Sequence, residues 1–386
     1  MGARTSGPVT AAGSRRRGHE RRGESGGSRE NGPENDQSPP SLAGRSESKV
    51  GQTLGSMIRP YPGVRVKPFS GGEGVVTAGR VPSMTRFGAV VTAMVTPFDA
   101  GGALDIDAAV ALARWLADHG SDGLVVTGTT GEGPVLADDE RADLWRAVAE
   151  AVTVPVIAGS GSNDTAHSME LTRRAAGCGV AGALVVTPYY NRPAQAGIEA
   201  HFRAVAGATD LPVMLYDIPV RTGRKVAHEV LLRLAREVPQ IVAVKDAAGD
   251  VAATARLVSE APGGFEVYSG EDGLTLPLLA VGAVGVVGVA THWAGPQFGE
   301  MVTSFTKGDV ERARRVNEQL LESYAFETGD ATPNPIPAKA MMRVLGLPVG
   351  QCRLPLGPAP EGLEERARQV LDRLHAAAGQ GTSTSG

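Results

Sequence analysis

Two cysteines in 386 residues, Cys178 and Cys352, are too few for a disulfide scaffold, and their spacing suits no metal site. They are expected to be free, buried thiols in a reduced, cytoplasmic setting. Aromatic residues make up only 4% of the chain, although the hydrophobic fraction of 42% is that of a globular protein. A strong charge of either sign is also missing. The formal net charge of −4 implies no polyanionic partner, and no nucleic acid is expected. Long apolar runs are scarce. The one from Leu274 to Ala290 is broken by Pro277 and by glycines such as Gly282 and Gly285. A membrane-spanning helix wants about 20 apolar residues. A buried helix followed by a buried strand is expected there instead, and no membrane partner. His119, His167, His201 and His292 show no ligand spacing, so they read as surface or core histidines and no metal is expected.

Composition changes near Met84. Before it lie Arg15-Arg16-Arg17, Arg21-Arg22, Pro39-Pro40 and many Ser and Gly, without apolar periodicity over the first fifty residues. Such a segment buries too little surface to offset its ordering entropy, so residues 1–83 are expected to be a disordered tail. Its arginines suggest a transit peptide, but Glu20, Glu24, Glu30 and Glu34 argue against one. The alternative is that the tail is not made and translation starts at Met84, just before Phe87-Gly88-Ala89-Val90-Val91, where the folded pattern begins.

From Met84 onward short apolar runs alternate with amphipathic segments. Strands buried on both faces read as continuous apolar runs. Eight are expected: Ala89–Val95, Gly123–Val126, Val154–Ala158, Ala183–Val186, Val213–Tyr216, Ile241–Lys245, Phe265–Ser269 and Gly285–Val289. Helices are expected at Asp107–Asp118, Asp138–Ala151, Asp164–Gly177, Gln195–Ala208, Ala227–Val238 and Val251–Ala261. Asp107, Asp138-Asp139 and Asp164 are the expected N-caps. Eight βα units of about thirty residues close most naturally into an α/β (β/α)8 TIM barrel. A doubly wound open sheet is the alternative, though no glycine-rich dinucleotide loop follows the first strand. The barrel is expected over residues 84–308. Helical stretches at Pro296–Thr306, Val310–Ser323, Pro337–Leu345 and Glu361–Ala378 exceed one barrel helix, so a C-terminal helical extension is expected over 309–378, with a disordered tail at 379–386.

In a barrel, function gathers at the C-terminal strand ends. There stand Gly128-Thr129-Thr130-Gly131-Glu132 after strand two and Tyr189-Tyr190-Asn191-Arg192-Pro193 after strand four. Tyr216-Asp217-Ile218-Pro219 with Arg221 ends strand five, Lys245-Asp246 ends strand six, and Ser269-Gly270-Glu271-Asp272 ends strand seven. These are an amine, phenols, hydroxyls and a guanidinium, the groups a carbonyl-handling site needs. Lys245 follows an apolar strand with no other charge. Burial favours the neutral form of an amine, and a neutral amine attacks a ketone to form an imine. The plainer alternative is that Lys245 pairs with Asp246. Tyr216, one strand away, offers a phenol for proton transfer, or is simply a core aromatic. Gly128 and Gly131 are expected to give the threonine loop unusual backbone angles, exposing amides to a carboxylate. Arg221 offers a bidentate fork for a carboxylate, or a surface salt bridge.

Together, the GTTGE loop, TPYYNRP, YDIP with RTG, VKDAAGD, SGED and PNPIPAK resemble the dihydrodipicolinate synthase / N-acetylneuraminate lyase family from about Phe87 to Leu356. The resemblance implies a (β/α)8 barrel with a C-terminal helical region. It implies that Lys245 is the Schiff-base lysine, Tyr216 the proton donor and acceptor, and Thr129 and Tyr190 the rest of a proton relay. The second tyrosine enters from a neighbouring subunit in the family, so a homo-oligomer is implied, at least a dimer, with a tetramer formed from two dimers. Thr130 and Val287 match contacts to the pyruvate carboxylate, Gly270 is grouped with the substrate-binding positions, and Arg221 matches the residue holding the carboxylate of the second substrate.

The double threonine and the arginine favour, within the family, condensation of pyruvate with aspartate 4-semialdehyde, the entry to lysine and diaminopimelate synthesis. No cofactor is implied. A sibling aldolase acting on a 2-oxo sugar acid and a non-catalytic binding barrel are the alternatives. Departures from the family pattern fall at Gly133-Pro134, Val220 and Glu271. Some members are inhibited by lysine. The matching positions include Gly133, Pro134, Asp138, Arg141, Asn163, His167 and Tyr189. His167 stands where sensitive members have a glutamate, and Arg141 adds positive charge, so weak feedback is expected.

Overall fold

The structure, a computed structural model, describes residues 85–380. Eight strands form a closed barrel in chain order: β1 Val90–Ala93, β2 Gly123–Val126, β3 Val156–Gly159, β4 Gly182–Val186, β5 Val213–Asp217, β6 Ile241–Asp246, β7 Glu266–Ser269 and β8 Gly285–Gly288. Every neighbour pair is parallel, and β8 closes on β1 with Val287 opposite Val91. The doubly wound alternative is excluded by this closure. All eight expected strands are present, and no end moves by more than two residues. Closure leaves no edge strand, which is why every strand tolerates near-complete burial.

The helices are α1 Ile106–Asp118, α2 Asp138–Ala151, α3 Thr165–Ala176, α4 Gln195–Ala206, the short α5 Pro219–Thr222, α6 His228–Glu237, α7 Val251–Glu260 and α8 Thr275–Ala280. After β8 come α9 Thr291–Thr306, α10 Val310–Glu327, α11 Ile336–Val344 and α12 Leu363–Gln380. The run from Leu274 to Ala290 is indeed a helix, α8, followed by the buried strand β8. The caps differ in detail from expectation. Asp105, not Asp107, caps α1, its carboxylate accepting from the Ala108 N–H. Asp138 and Asp139 lie in the first turn of α2, where negative charge meets the positive helix end, and Glu140 accepts from the N–H of the cap residue Ala137. Asp164 caps α3 as expected.

Strand alternation sorts the side chains. Val91, Ile157, Leu184, Met214, Ala243, Tyr268 and Val287 fill the barrel interior. Val213, Leu215, Val244 and Val267 face the helices outside. With period two, Tyr216 and Lys245 therefore point inward at the C-terminal ends of β5 and β6. The C-terminal helices have no core of their own. Phe298, Val316, Leu320, Met341 and Leu371 join Leu112, Trp145 and Val90 in one cluster, so this region buttresses the barrel side from which β1 and β2 emerge. Cys178 and Cys352 are free and buried. Among the described residues no helix is long and apolar enough to cross a membrane. The tail expected at residues 1–83 lies outside the described residues; of the tail expected at 379–386, residues 379 and 380 instead end α12, and residues 381–386 lie outside the described residues.

Candidate active site

Lys245 lies between Tyr216 on β5 and Tyr268 on β7 in the strand register. Its Nζ sits 4.4 Å from the centre of the Tyr216 ring, and only 5% of the residue is exposed. A cation or amine over a phenol face is held by the ring quadrupole. Asp246, the plainer partner for the lysine, is engaged elsewhere. Its Oδ1 accepts from the Ala248 N–H and its Oδ2 from the Thr254 hydroxyl at 2.6 Å. Gly270 follows β7 because the lysine stem runs past it. A Cβ there would stand 2.9 Å from Lys245 Cγ and from Ala247 Cβ.

Beside this pair opens a cavity of about 420 Å³. Of the expected site residues, Thr129, Tyr190, Tyr216 and Arg221 line it. Lys245 stands behind the Tyr216 ring, and Gly270 packs on the lysine. Val287 is wholly buried in the barrel interior with Tyr216. Thr130 is buried, and its hydroxyl accepts from Asn334 Nδ2 at 2.9 Å. The eight residues thus divide into an inner group at the strand ends and an outer group at the rim.

The loop after β2 is built differently from what its glycines suggest. The positive φ angles fall on Thr127 (62°) and Glu132 (54°), not on Gly128 or Gly131. Gly131 and Gly133 serve close approach. A Cβ on Gly131 would meet Thr127 N at 2.9 Å, and one on Gly133 would meet Thr127 O at 2.4 Å. Buried bonds hold the strained positions in place. Thr127 Oγ1 donates to Gly159 O and accepts from Trp145 Nε1 at 2.8 Å, and Thr96 Oγ1 donates to Gly131 O. Glu132 Oε1 meets Lys339 Nζ at 2.6 Å with both side chains shut off from solvent, and Oε2 accepts from the Arg353 N–H. Burial holds Lys339 below the usual lysine range, with Glu132 opposing, and it pushes the nearby Cys352 thiol up to about 12.

The rim comes from the segments after β4 and β5. They are stitched together by Arg192 Nε donating to Gly223 O and Arg224 Nε donating to Arg192 O. Tyr190 has a φ of 71° and is 89% exposed. Arg221 is exposed on α5.

Several groups escaped the sequence reading. Asp217, adjacent to Tyr216, has its carboxyl pushed up to about 7 by burial. The Val226 N–H and Lys225 pull against that shift and Asp246 adds to it. Asp272 Oδ2 accepts from the Val289 and Ala290 N–H groups, and Glu327 Oε2 accepts from Ala290 too. Burial, then Asp272, pushes Glu327 well above its ordinary carboxylate value. Asp272 stood in the SGED motif without a role, and nothing in the local sequence marks Glu327, which reaches it from α10. Asn334 stood in a quoted motif but with no role. His292 is a core histidine, its Nε2 accepting from the Val95 N–H and its pKa pushed down to about 4 by burial. Among the described residues no group of three or more His, Cys, Asp or Glu side chains is placed to hold a metal ion.

The model of the Dihydrodipicolinate synthetase family matches residues 86–374. The 4-hydroxy-tetrahydrodipicolinate synthase of Acidothermus cellulolyticus is 52% identical over 287 residues, which is 74% of this chain and 92% of that one. That of Moorella thermoacetica is 49% identical over 288 residues, 74% of this chain and 98% of that relative. Among solved structures, DHDPS from Cyanidioschyzon merolae with lysine bound superposes with a TM-score of 0.73 at 44% identity, covering 75% of this chain and 99% of that one.

Proposed function

The chain belongs to the dihydrodipicolinate synthetase family, and from that premise we propose that it condenses pyruvate with L-aspartate 4-semialdehyde to give 4-hydroxy-tetrahydrodipicolinate. The observation that carries this reading is Lys245 Nζ over the Tyr216 ring, 4.4 Å from its centre, with Tyr216 and Arg221 both lining the cavity beside it. Lys245 attacks the pyruvate ketone and water leaves, giving an imine. The imine draws electrons and makes the methyl carbon acidic. Loss of a proton gives an enamine, which attacks the aldehyde. The amino group of the second substrate then displaces Lys245 and closes the ring. One water is released in all. Tyr216 moves the protons, with Thr129 and Tyr190 completing the relay. Thr130, Val287 and Gly270 shape the pyruvate end, and Arg221 takes the second carboxylate through its fork.

An 89%-exposed tyrosine at the cavity rim suits a role across a subunit boundary. We therefore read the active form as a homo-oligomer, at least a dimer and by resemblance a tetramer. Lysine should inhibit weakly. Asp138, the one carboxylate among the expected lysine-contact positions, is already bonded by His167 Nε2 at 3.0 Å, and the Arg141 guanidinium opposes an ammonium.

The test is a coupled assay of pyruvate with aspartate semialdehyde. Turnover of that pair at a kcat/KM well above that for any 2-oxo sugar acid supports the reading. Preference for the sugar acid would make the chain a sibling aldolase. Turnover of neither would remove the enzymatic reading.

A further inference from the structure

Two side chains from one short stretch, Asn334 and Lys339, cross from the C-terminal region into the loop after β2. Lys339 pairs with Glu132, and its Nζ also donates to Gln351 O. That contact secures backbone, because Glu132 sits at a positive φ. Asn334 reaches something different, a hydroxyl. Its Nδ2 donates to Thr130 Oγ1 at 2.9 Å. A threonine hydroxyl carries one hydrogen and two lone pairs. An amide N–H aimed at the oxygen occupies a lone pair and leaves the hydrogen for another acceptor. A hydroxyl that accepts in this way is also a stronger donor. Thr130 is only 2% exposed, so bulk water does not supply that acceptor. Asn334 itself lines the cavity, and its buried Oδ1 has no partner among the described residues.

We propose that Asn334 is a positioning residue that aims the Thr130 hydroxyl hydrogen at the carboxylate of the 2-oxo acid held by Lys245. The proposal rests on the reading of Thr130 as a carboxylate contact. It gives the C-terminal helical region a part in substrate recognition beyond buttressing the barrel.

The experiment measures the pyruvate concentration that gives half-maximal borohydride trapping on the full chain. It compares the native protein, Asn334→Ser, Thr130→Val and the double variant, with thermal melts alongside. One hydrogen bond to an ionised group sets the scale, so Asn334→Ser should raise that concentration about ten-fold. The KM for aspartate semialdehyde should stay unchanged. Because Asn334 acts through Thr130, the double variant should be no worse than Thr130→Val alone. Asn334→Gln keeps an N–H donor on a longer arm and should recover part of the loss. It is also the working variant if Asn334→Ser melts low. Additive effects in the double variant, or an unchanged pyruvate requirement in both Asn334 variants, overturn the inference. If the native protein traps pyruvate and these results fail, the inference alone fails. If the native protein traps nothing, the imine reading fails first.

Discussion

The buried strand ends and the exposed rim of the site are built on opposite principles. Toward the barrel interior, Lys245, Tyr216 and Thr130 are buried, fixed by strand register or by a bond from Asn334. At the rim, Tyr190 and Arg221 stand in solvent on segments tied mainly to each other. Imine chemistry needs a dry amine in one fixed place, which a closed barrel supplies. Recognition of a second substrate tolerates a softer wall and leaves room for a neighbouring subunit to complete it. On the proposed reading, the buried strand ends form the imine and the exposed rim receives the second substrate.

The sharpest way to break this comparison is to remove the amine. Lys245→Ala should lower kcat by about four orders of magnitude or more, because a covalent step has no substitute. Its melting temperature should change far less, and residual turnover above about a hundredth of native would contradict the assignment. Next in size is the support behind the inner wall. Lys339→Met leaves Glu132 charged and unpaired in the interior, at a cost of about 3–5 kcal/mol in unfolding free energy. Denaturant melts should report it, and a loss below about 1 kcal/mol would show that Glu132 finds another partner.

Asp217 gives a pH test of the same wall. Its folded-state value of about 7 lies above that of an unfolded carboxyl near 4, so the folded chain holds the proton more tightly. Stability is then lost as pH rises from about 4 to 7, and it stays lost above. Asp217→Asn keeps an oxygen for the Val226 N–H and removes the titration. It should be more stable than native at pH 8, by an amount on the order of 2 kcal/mol, and should flatten the pH slope. Identical slopes in the two proteins would show that the burial of Asp217 is relieved by solvent. The smallest effect belongs to the rim. Arg221→Ala should raise the KM for aspartate semialdehyde about ten- to a hundred-fold, as expected for losing a charged fork. Pyruvate should still form its imine, and equal loss of both would merge the two halves into one.

The fold was legible because both faces of each strand are buried. Runs such as Val213–Tyr216 and Gly285–Val289 announce themselves without alternation. The inner positions of Tyr216 and Lys245 followed from period two once the strands were placed. What stayed hidden depends on convergence from distant segments. Asp272 meets Glu327 across 55 residues, and Asn334 meets Thr130 across 204. The expected caps of α1 and α2 failed for a local reason, while that of α3 held. Several carboxylates crowd the starts of α1 and α2, and only the backbone angles choose among them, as at Asp105 over Asp107. The threonine loop misled because its glycines admit close neighbours while Thr127 and Glu132 carry the strain.

The most direct measurement of the central claim is mass spectrometry of the chain after incubation with pyruvate and borohydride, with peptide mapping. One reduced pyruvate adduct per chain, confined to Lys245 and absent in Lys245→Ala, is the predicted result. An unmodified chain, or an adduct spread over surface lysines and kept by Lys245→Ala, would contradict it.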